Sequence, residues 1–442
     1  MVAQQFVGNK LREFITFTRD LITGHMRINK YLPFAILYFF INSVALPLGL
    51  TYTALLAPFF YGWILIKRKK EILLPFLAIM TPFIIGQVFI SGVDLTSYVV
   101  SFLNIILVYI FCQAVYTFLI TVSDHEWIFR KLLILNTVLC LFAVILYFTP
   151  WADLFWIRQT LTEGVDRFYR MKLFTYEASY YAHLFVPLFF FFLFQYFLRK
   201  NNINNTLLIM MITVPLILSF SIGVIGCLLA ALMLTILIHF RTLVLKRRVV
   251  NTFISLGVIT CVLVFIAFFF FRDNPLFTRI ANILSGQDTS GMGRTTDAYY
   301  LANRILQEKN IYWGIGPGQL KMIGEETIRG FYLYYHLTPV AIPNVTAETL
   351  LVFGWVGVGL RFFIELFLFF HTKVWSNYYR LALFLFIFFY QFSGSFLTNV
   401  AEYVIWIMAF TPVFKEFDVK VPGQPRYSGL SLHVHKTDIV QS

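Results

Sequence analysis

Hydrophobic positions in this chain gather into long unbroken runs, with neither the two-residue alternation of half-buried strands nor a sustained heptad. A hydrocarbon core about 30 Å thick takes roughly 20 apolar residues at 1.5 Å each. Polar punctuation divides the chain into about twelve such runs, near residues 31–48, 51–66, 71–90, 98–120, 131–149, 173–198, 206–220, 222–240, 251–271, 345–370, 380–397 and 399–414. The seventh and eighth are separated only by SFSIGVIG. The expected fold class is an all-α polytopic integral membrane protein of about 12 transmembrane helices with one long, partly helical loop.

Charge orients these runs. Lys and Arg mark alternate connections: the N-terminus, residues 67–70, Arg130 with Lys131, Arg199 with Lys200, residues 246–248, and Lys373 with Arg380. By the positive-inside rule these are cytoplasmic, as are both termini. The expected organisation is a cytoplasmic amphipathic segment (1–30), nine transmembrane helices (31–271), a long periplasmic loop (272–344), three more helices (345–414) and a cytoplasmic tail (415–442). Residues 1–30 place Phe6, Leu11, Phe14, Ile15 and Leu21 at helical steps among Lys10, Arg12 and Arg19, which suits a helix lying on an anionic leaflet. They contain no continuous apolar stretch of the signal-peptide kind.

Composition agrees with a membrane setting. Of 442 residues, 59% are hydrophobic and 13% charged, and mean hydropathy is +0.75. The net charge of +13 is mostly topological, because no basic domain stands outside the apolar runs; no nucleic-acid partner is expected. Cys112, Cys140, Cys227 and Cys261 all fall inside apolar runs and read as small core residues, and no metal or other cofactor is expected.

Several polar groups stand where the pattern does not require them. The outward connection 150–172 carries Arg158, Arg167, Arg170 and Lys172, and Glu177 follows inside an apolar run. If the sixth helix begins by about residue 170, Arg170 and Glu177 share a face two turns apart. In SGMGRTTD, Arg294 sits in a glycine-rich turn ahead of TTDAYYLANRILQEKN, which has the spacing of a short helix. Residues 314–318, GIGPG, read as a tight turn, since Pro317 and the lack of a βαβ unit argue against a nucleotide fingerprint. Asn344 and Glu348 share one face at the mouth of the tenth run, ahead of Gly354, Gly357 and Gly359, which favour close helix packing. His336 lies in the loop between tyrosines; Arg361 and Glu365 look like a structural pair, and Glu402 is placed to face a bundle cavity. Trp151, Trp156, Tyr299, Tyr300, Trp313, Tyr332, Tyr334 and Tyr335 can stack on sugar rings or form an interfacial belt.

The order of these pieces resembles the membrane O-antigen polymerase and O-antigen ligase superfamily, of Wzy and WaaL type. The likeness runs from about residue 165 to 360 and rests on Arg170 through Phe174 with Glu177 and Ala182, on SFSIGVIG, on Arg294, on GIGPG, and on Asn344, Glu348, Gly354 and Gly357. Leu173 stands where that family often has glycine, and Pro343 where the ligases have histidine, which tilts the likeness toward a polymerase. The resemblance implies a bacterial inner-membrane glycosyltransferase whose periplasmic site moves a glycan from a polyprenyl diphosphate to the hydroxyl of a lipid-linked repeat unit, without metal and with inversion. Membrane lipids and a chain-length regulator protein are the other implied partners. Arg167, Arg170, Lys172, Arg294 and Asn344 would then bind substrate, and Glu348, Glu177 or His336 would accept the hydroxyl proton. The alternatives are a ligase that transfers to lipid A core, or a transporter (flippase) of lipid-linked oligosaccharide.

Overall fold

The computed structural model of the protein describes residues 31–43, 51–68, 71–159, 168–198, 205–243, 282, 285, 289–332 and 341–419. The expected N-terminal amphipathic helix, the ninth run (251–271) with Cys261, Arg167, Tyr334, Tyr335, His336 and the tail from 420 lie outside the described residues.

Helices dominate. Single turns aside, they are α1 (Leu32–Ile41), α2 (Ala57–Arg68), α3 (Leu73–Val88), α4 (Leu95–Thr121), α5 (His125–Leu146), α6 (Ala178–Leu198), α7 (Asn205–Ser219), α8 (Ile222–Ile238), α9 (Thr289–Arg294), α10 (Thr296–Gln307), α11 (Glu325–Tyr332), α12 (Val345–His371), α13 (Tyr378–Tyr390) and α14 (Val400–Phe410). Of these, α4, α5, α6 and α12 are long and apolar enough to cross a membrane. Shorter apolar helices α1, α2, α3, α7, α8, α13 and α14 fall where runs were expected, and α9, α10 and α11 lie in the long connection before α12. Short polar residues set many of the starts: Asp94, Asp124, Asn344, Asn377 and Asn399 each accept a backbone N–H of the helix that follows.

The core is built around α6. Its sequence is apolar on every face, with phenylalanine at 189, 190, 191, 192 and 194, and nearly every residue is buried. It packs against α7, α8, α13 and α14. A second apolar cluster forms where α10 lays Ala298, Leu301, Ala302 and Ile305 against Leu350, Leu351 and Val358 of α12. The loop helix is therefore present where its spacing predicts it, docked by its apolar face.

Two features depart from expectation. The first precedes α6, where residues 156–159 and 168–171 pair as an antiparallel hairpin, β1 (Trp156–Gln159) and β2 (Phe168–Met171), with Ile157 opposite Arg170. The sixth helix begins at Ala178, so Arg170 lies on a strand and does not share a helix face with Glu177. Leu173 is the reason: its φ of +46° is left-handed and breaks any helix there. The same geometry accounts for a glycine preference at this position. Leu173 is held there by its buried side chain.

The second departure is a break in α12. Gly354 has φ +66° and ψ −168°, dividing residues 345–353 from 355–371. In a straight helix Thr349 and Arg361 would be ~18 Å apart along the axis, yet their side chains meet at 3.5 Å, so the halves fold toward each other. Such a break strands carbonyls before it and N–H groups after it, which apolar surroundings penalise by several kcal/mol each. Residues 311–316 supply the partners. Ile315 and Gly316 donate to the carbonyls of Leu351 and Val352, and Trp355 and Val356 donate to those of Ile311 and Tyr312, at 2.9–3.2 Å. Gln87 donates to the carbonyls of Trp313 and Val352 and accepts from Tyr98.

The backbones at this junction touch, which is why glycines occupy it. A Cβ on Gly314 would lie 2.4 Å from Val352, and one on Gly354 2.2 Å from the Tyr312 carbonyl oxygen. GIGPG is thus a turn, and also the plug of a broken helix. Gly354 serves that junction and not helix packing, while Gly359 faces open space.

Candidate active site

A polar cleft forms where the turn before α6, the end of α9, the start of α12 and the 391–399 connection between α13 and α14 meet. Glu177 sits one residue ahead of α6, and its Oε1 accepts from Nη2 of Arg294 at 3.0 Å. Arg294 is the last residue of α9 and not part of an open glycine turn, and α10 begins two residues later at Thr296. Asn344 fixes this arrangement. Its amide donates to the carbonyls of Arg294 and Phe392, both at 2.7 Å, and its side-chain oxygen caps α12 through the Ala347 N–H. Asn344 is fully buried with both side-chain N–H groups on carbonyls, so it braces Arg294 and offers no side-chain donor to the cleft.

Tyr176, Ser179, Pro343, Tyr390, Ser395 and Asn399 complete the walls, around a space of about 10 Å³, enough for roughly one water. Ser395 has a left-handed φ of +71°, a strained conformation for a residue other than glycine. The side chains of Arg294 and Glu177 remain 32% and 18% exposed, so the pair is open to solvent. Burial alone would raise the Glu177 pKa, but Arg294, hydrogen bonds from Ser179 and Arg294, and the field of Arg170 hold it below the usual carboxylate range. Reciprocally, burial works against the Arg294 charge, yet Glu177 and its tyrosine neighbours leave its pKa raised.

The remaining expected residues scatter. Arg170 is buried, and its Nε donates at 3.1 Å to the carbonyl of Ser219, the last residue of α7. There it caps a helix C-terminus while its charge still reaches Glu177. Lys172 points the other way, with Nζ 3.5 Å from the Leu154 carbonyl; burial lowers its pKa against the pull of Asp153. Glu348 does not line the cleft. Its Oε2 accepts the Leu397 N–H at 2.6 Å, on the far side of the 391–399 connection that walls the cleft. Trp156 is buried, with its indole N–H on the Ala143 carbonyl, and Trp313 packs edge-on against Phe83. Neither is a free platform for sugar, whereas Tyr176, Trp151 and Tyr300 are exposed.

The sequence pattern missed the 391–399 wall. QFSGSFLTN interrupts an apolar stretch with small polar residues, a signal of a connection but not of a site. It also understated Arg361. This side chain pairs with Glu365 at 3.0 Å and with Glu402, donates at 2.8 Å to Gln391, and lies 3.5 Å from the Thr349 hydroxyl. Beside it, α3, α4, α12 and α14 enclose a mostly apolar cavity of about 390 Å³, with Arg361 and Glu365 in its walls.

Among the described residues the chain is a predominantly helical protein, with four helices long and apolar enough to cross a membrane and an ion-paired polar cleft. Comparison with models of known protein families gives no match, and comparison with curated proteins gives no significant one.

Proposed function

We propose that this chain is a polysaccharide polymerase of the inner membrane, transferring a growing glycan from a polyprenyl diphosphate to a hydroxyl of a lipid-linked repeat unit at its periplasmic side. One observation carries the reading: Arg294, 117 residues away in sequence, is ion-paired with Glu177 at a partly open cleft, and Arg170 lies near enough to add to the positive field there.

A diphosphate leaving group gathers negative charge as the glycosidic bond breaks. Arg294 presents a partly exposed guanidinium to meet it, and Arg170 adds positive field from behind. The free space at the pair is small, so an entering phosphate competes with Glu177 for Arg294. That competition changes the carboxylate. With its cation shared and a dianion beside it, Glu177 becomes more basic and can accept the acceptor's hydroxyl proton as the new bond forms. Glu177 is thus arginine partner at rest and general base when substrate is bound. Glu348, committed to the Leu397 N–H behind the wall, supports the cleft instead. Direct attack by the hydroxyl inverts the anomeric centre. Tyr176 at the rim offers a face on which a sugar ring can stack.

The test is to incubate purified protein with a lipid-linked repeat unit alone. A ladder of chain lengths supports the proposal. Transfer only when a lipid A core acceptor is added makes the protein a ligase; movement of substrate across vesicles without any new bond makes it a transporter.

A further inference from the structure

We infer that His183 is the floor of the Glu177–Arg294 cleft and a binding residue for a hydroxyl: its Nε2 hydrogen-bonds a water in the resting protein and, in the proposed transfer, the acceptor hydroxyl. Only the second half rests on the proposed function. The placement follows from α6. His183 stands one turn beyond Ser179 and Tyr180 on the same helix face, so all three line the cleft that Glu177 and Arg294 enter from its open edge.

Hydrogen bonding singles out the atom. Much of the lining is already committed. Ser179 bonds Glu177, Tyr180 donates to the Asn42 side-chain oxygen at 2.9 Å, and Asn399 gives its amide to Ser395 at 2.8 Å while its oxygen takes the Ala401 N–H at 3.0 Å. His183 is 1% exposed, and its Nε2 is the one buried side-chain polar atom of the lining without a hydrogen-bond partner among the described residues. A ring nitrogen left bare in such a place is costly, so the position needs a reason.

The rings beside it do not supply one. Tyr390 and Phe386 stand nearly perpendicular to the imidazole, with centroids 4.7 and 5.7 Å away, and fix its plane. A ring face offers only a weak N–H···π contact, second-order beside a hydrogen bond.

Size and chemistry then name the ligand. The free space is about 10 Å³, so a single oxygen fits where a phosphate or a whole sugar does not. Whichever tautomer the ring adopts, Nε2 is either a donor or an acceptor, and water and alcohols answer both. A hydroxyl that replaces the water takes its place beside Glu177. Its proton leaves to Glu177 as the new bond forms, and the imidazole ends the step with the protons it began with. His183 thus orients the nucleophile and Glu177 deprotonates it.

Two measurements test this, and they fail separately. An experimental structure of the unliganded wild type that resolves ordered water should place a water oxygen within hydrogen-bond distance of Nε2. A protein atom there, or no oxygen at all, overturns the inference whatever reaction the protein performs. Elongation of a purified lipid-linked repeat unit reads the second half. His183→Phe keeps a ring against Tyr390 and Phe386 and removes both nitrogens. It should melt close to wild type while kcat/KM for the repeat unit falls about tenfold, as for loss of one hydrogen bond. His183→Gln, whose amide reaches the position of Nε2, should recover most of that loss, and His183→Asn, which is too short, should not. Unchanged kcat/KM in His183→Phe, or equal values for the glutamine and asparagine variants should His183→Phe not fold, refutes the hydroxyl role. A wild type that makes no polymer refutes the polymerase reading and leaves the water site to the first measurement.

Discussion

Two arginines define this molecule, and they sit in opposite settings. Arg294 meets one carboxylate at the edge of a cleft, with its side chain 32% exposed. Arg361 meets two carboxylates, an amide and a hydroxyl inside the bundle, and is 11% exposed. The first pair is balanced in charge and open, so it has donors to offer an incoming anion. The second has two acids for one cation and is mostly buried, so its guanidinium has no donors left to offer an anion. Counting partners and exposure therefore separates the cleft proposed for chemistry from a cluster that holds helices together, where residue type alone does not.

The comparison is most severely tested by removing each arginine. Arg361→Ala leaves two buried carboxylates without their cation, and a loss of about 3–5 kcal/mol is expected from breaking a buried pair. Little folded protein should survive size-exclusion in detergent. Arg294→Ala should instead elute as folded protein with only a modestly lowered melting temperature, while chain elongation falls ~10²- to 10³-fold, as for loss of a transition-state donor. Equal loss of folding in both would erase the distinction.

Glu177→Gln should also depress elongation, by ~10²-fold or more for loss of a general base. Glu348→Gln should retain most of its turnover, because the amide oxygen can still accept the Leu397 N–H. A collapse of turnover in Glu348→Gln with little change in Glu177→Gln would exchange their roles.

Smaller effects concern pH and the periphery. The folded-state pKa of Glu177 lies below the ordinary value of 4.5. Its pair with Arg294 therefore contributes in full above that value and is lost as pH falls through the lower, folded one. Thermal melts below pH 4.5 should decline less steeply in Glu177→Gln than in wild type. Lys172→Ala, which touches only the hairpin side, should leave elongation within about twofold, since surface contacts of this kind contribute little.

How much of this was legible beforehand differs from element to element. The 296–307 helix, the SFSIGVIG break and the positions of most apolar runs follow from local pattern, because a helix must bury its apolar face and a polar interruption must end it. The sixth helix was drawn too early, since a buried leucine in a left-handed conformation carries no pattern that distinguishes it from a helical one. Gly354 was read as a packing glycine for a similar reason. Whether a glycine eases packing or permits a break depends on what lies against it, here the backbone of residues 312–316, some forty positions away.

The candidate site divides in the same way. Glu177 and Arg294 stood out because charged groups beside long apolar runs are costly and need a reason. Asn344 stood out too, but its role as a brace for Arg294 required knowing which carbonyls its amide reaches. Arg361, Glu402 and the 391–399 wall were visible only as a helix pair, a lone acid and a polar connection.

What the sequence determined by itself was the membrane character of the chain, the approximate extent of its helices and the short list of costly polar residues, because each depends on neighbours within a few positions. Tertiary structure alone decided which charges face which. Pairing across 117 residues, as between Glu177 and Arg294, or across 41, as between Arg361 and Glu402, is fixed by how the helices pack and by the break at Gly354. Electrostatic roles follow from distance and burial in space, and neither can be read from separation along the chain.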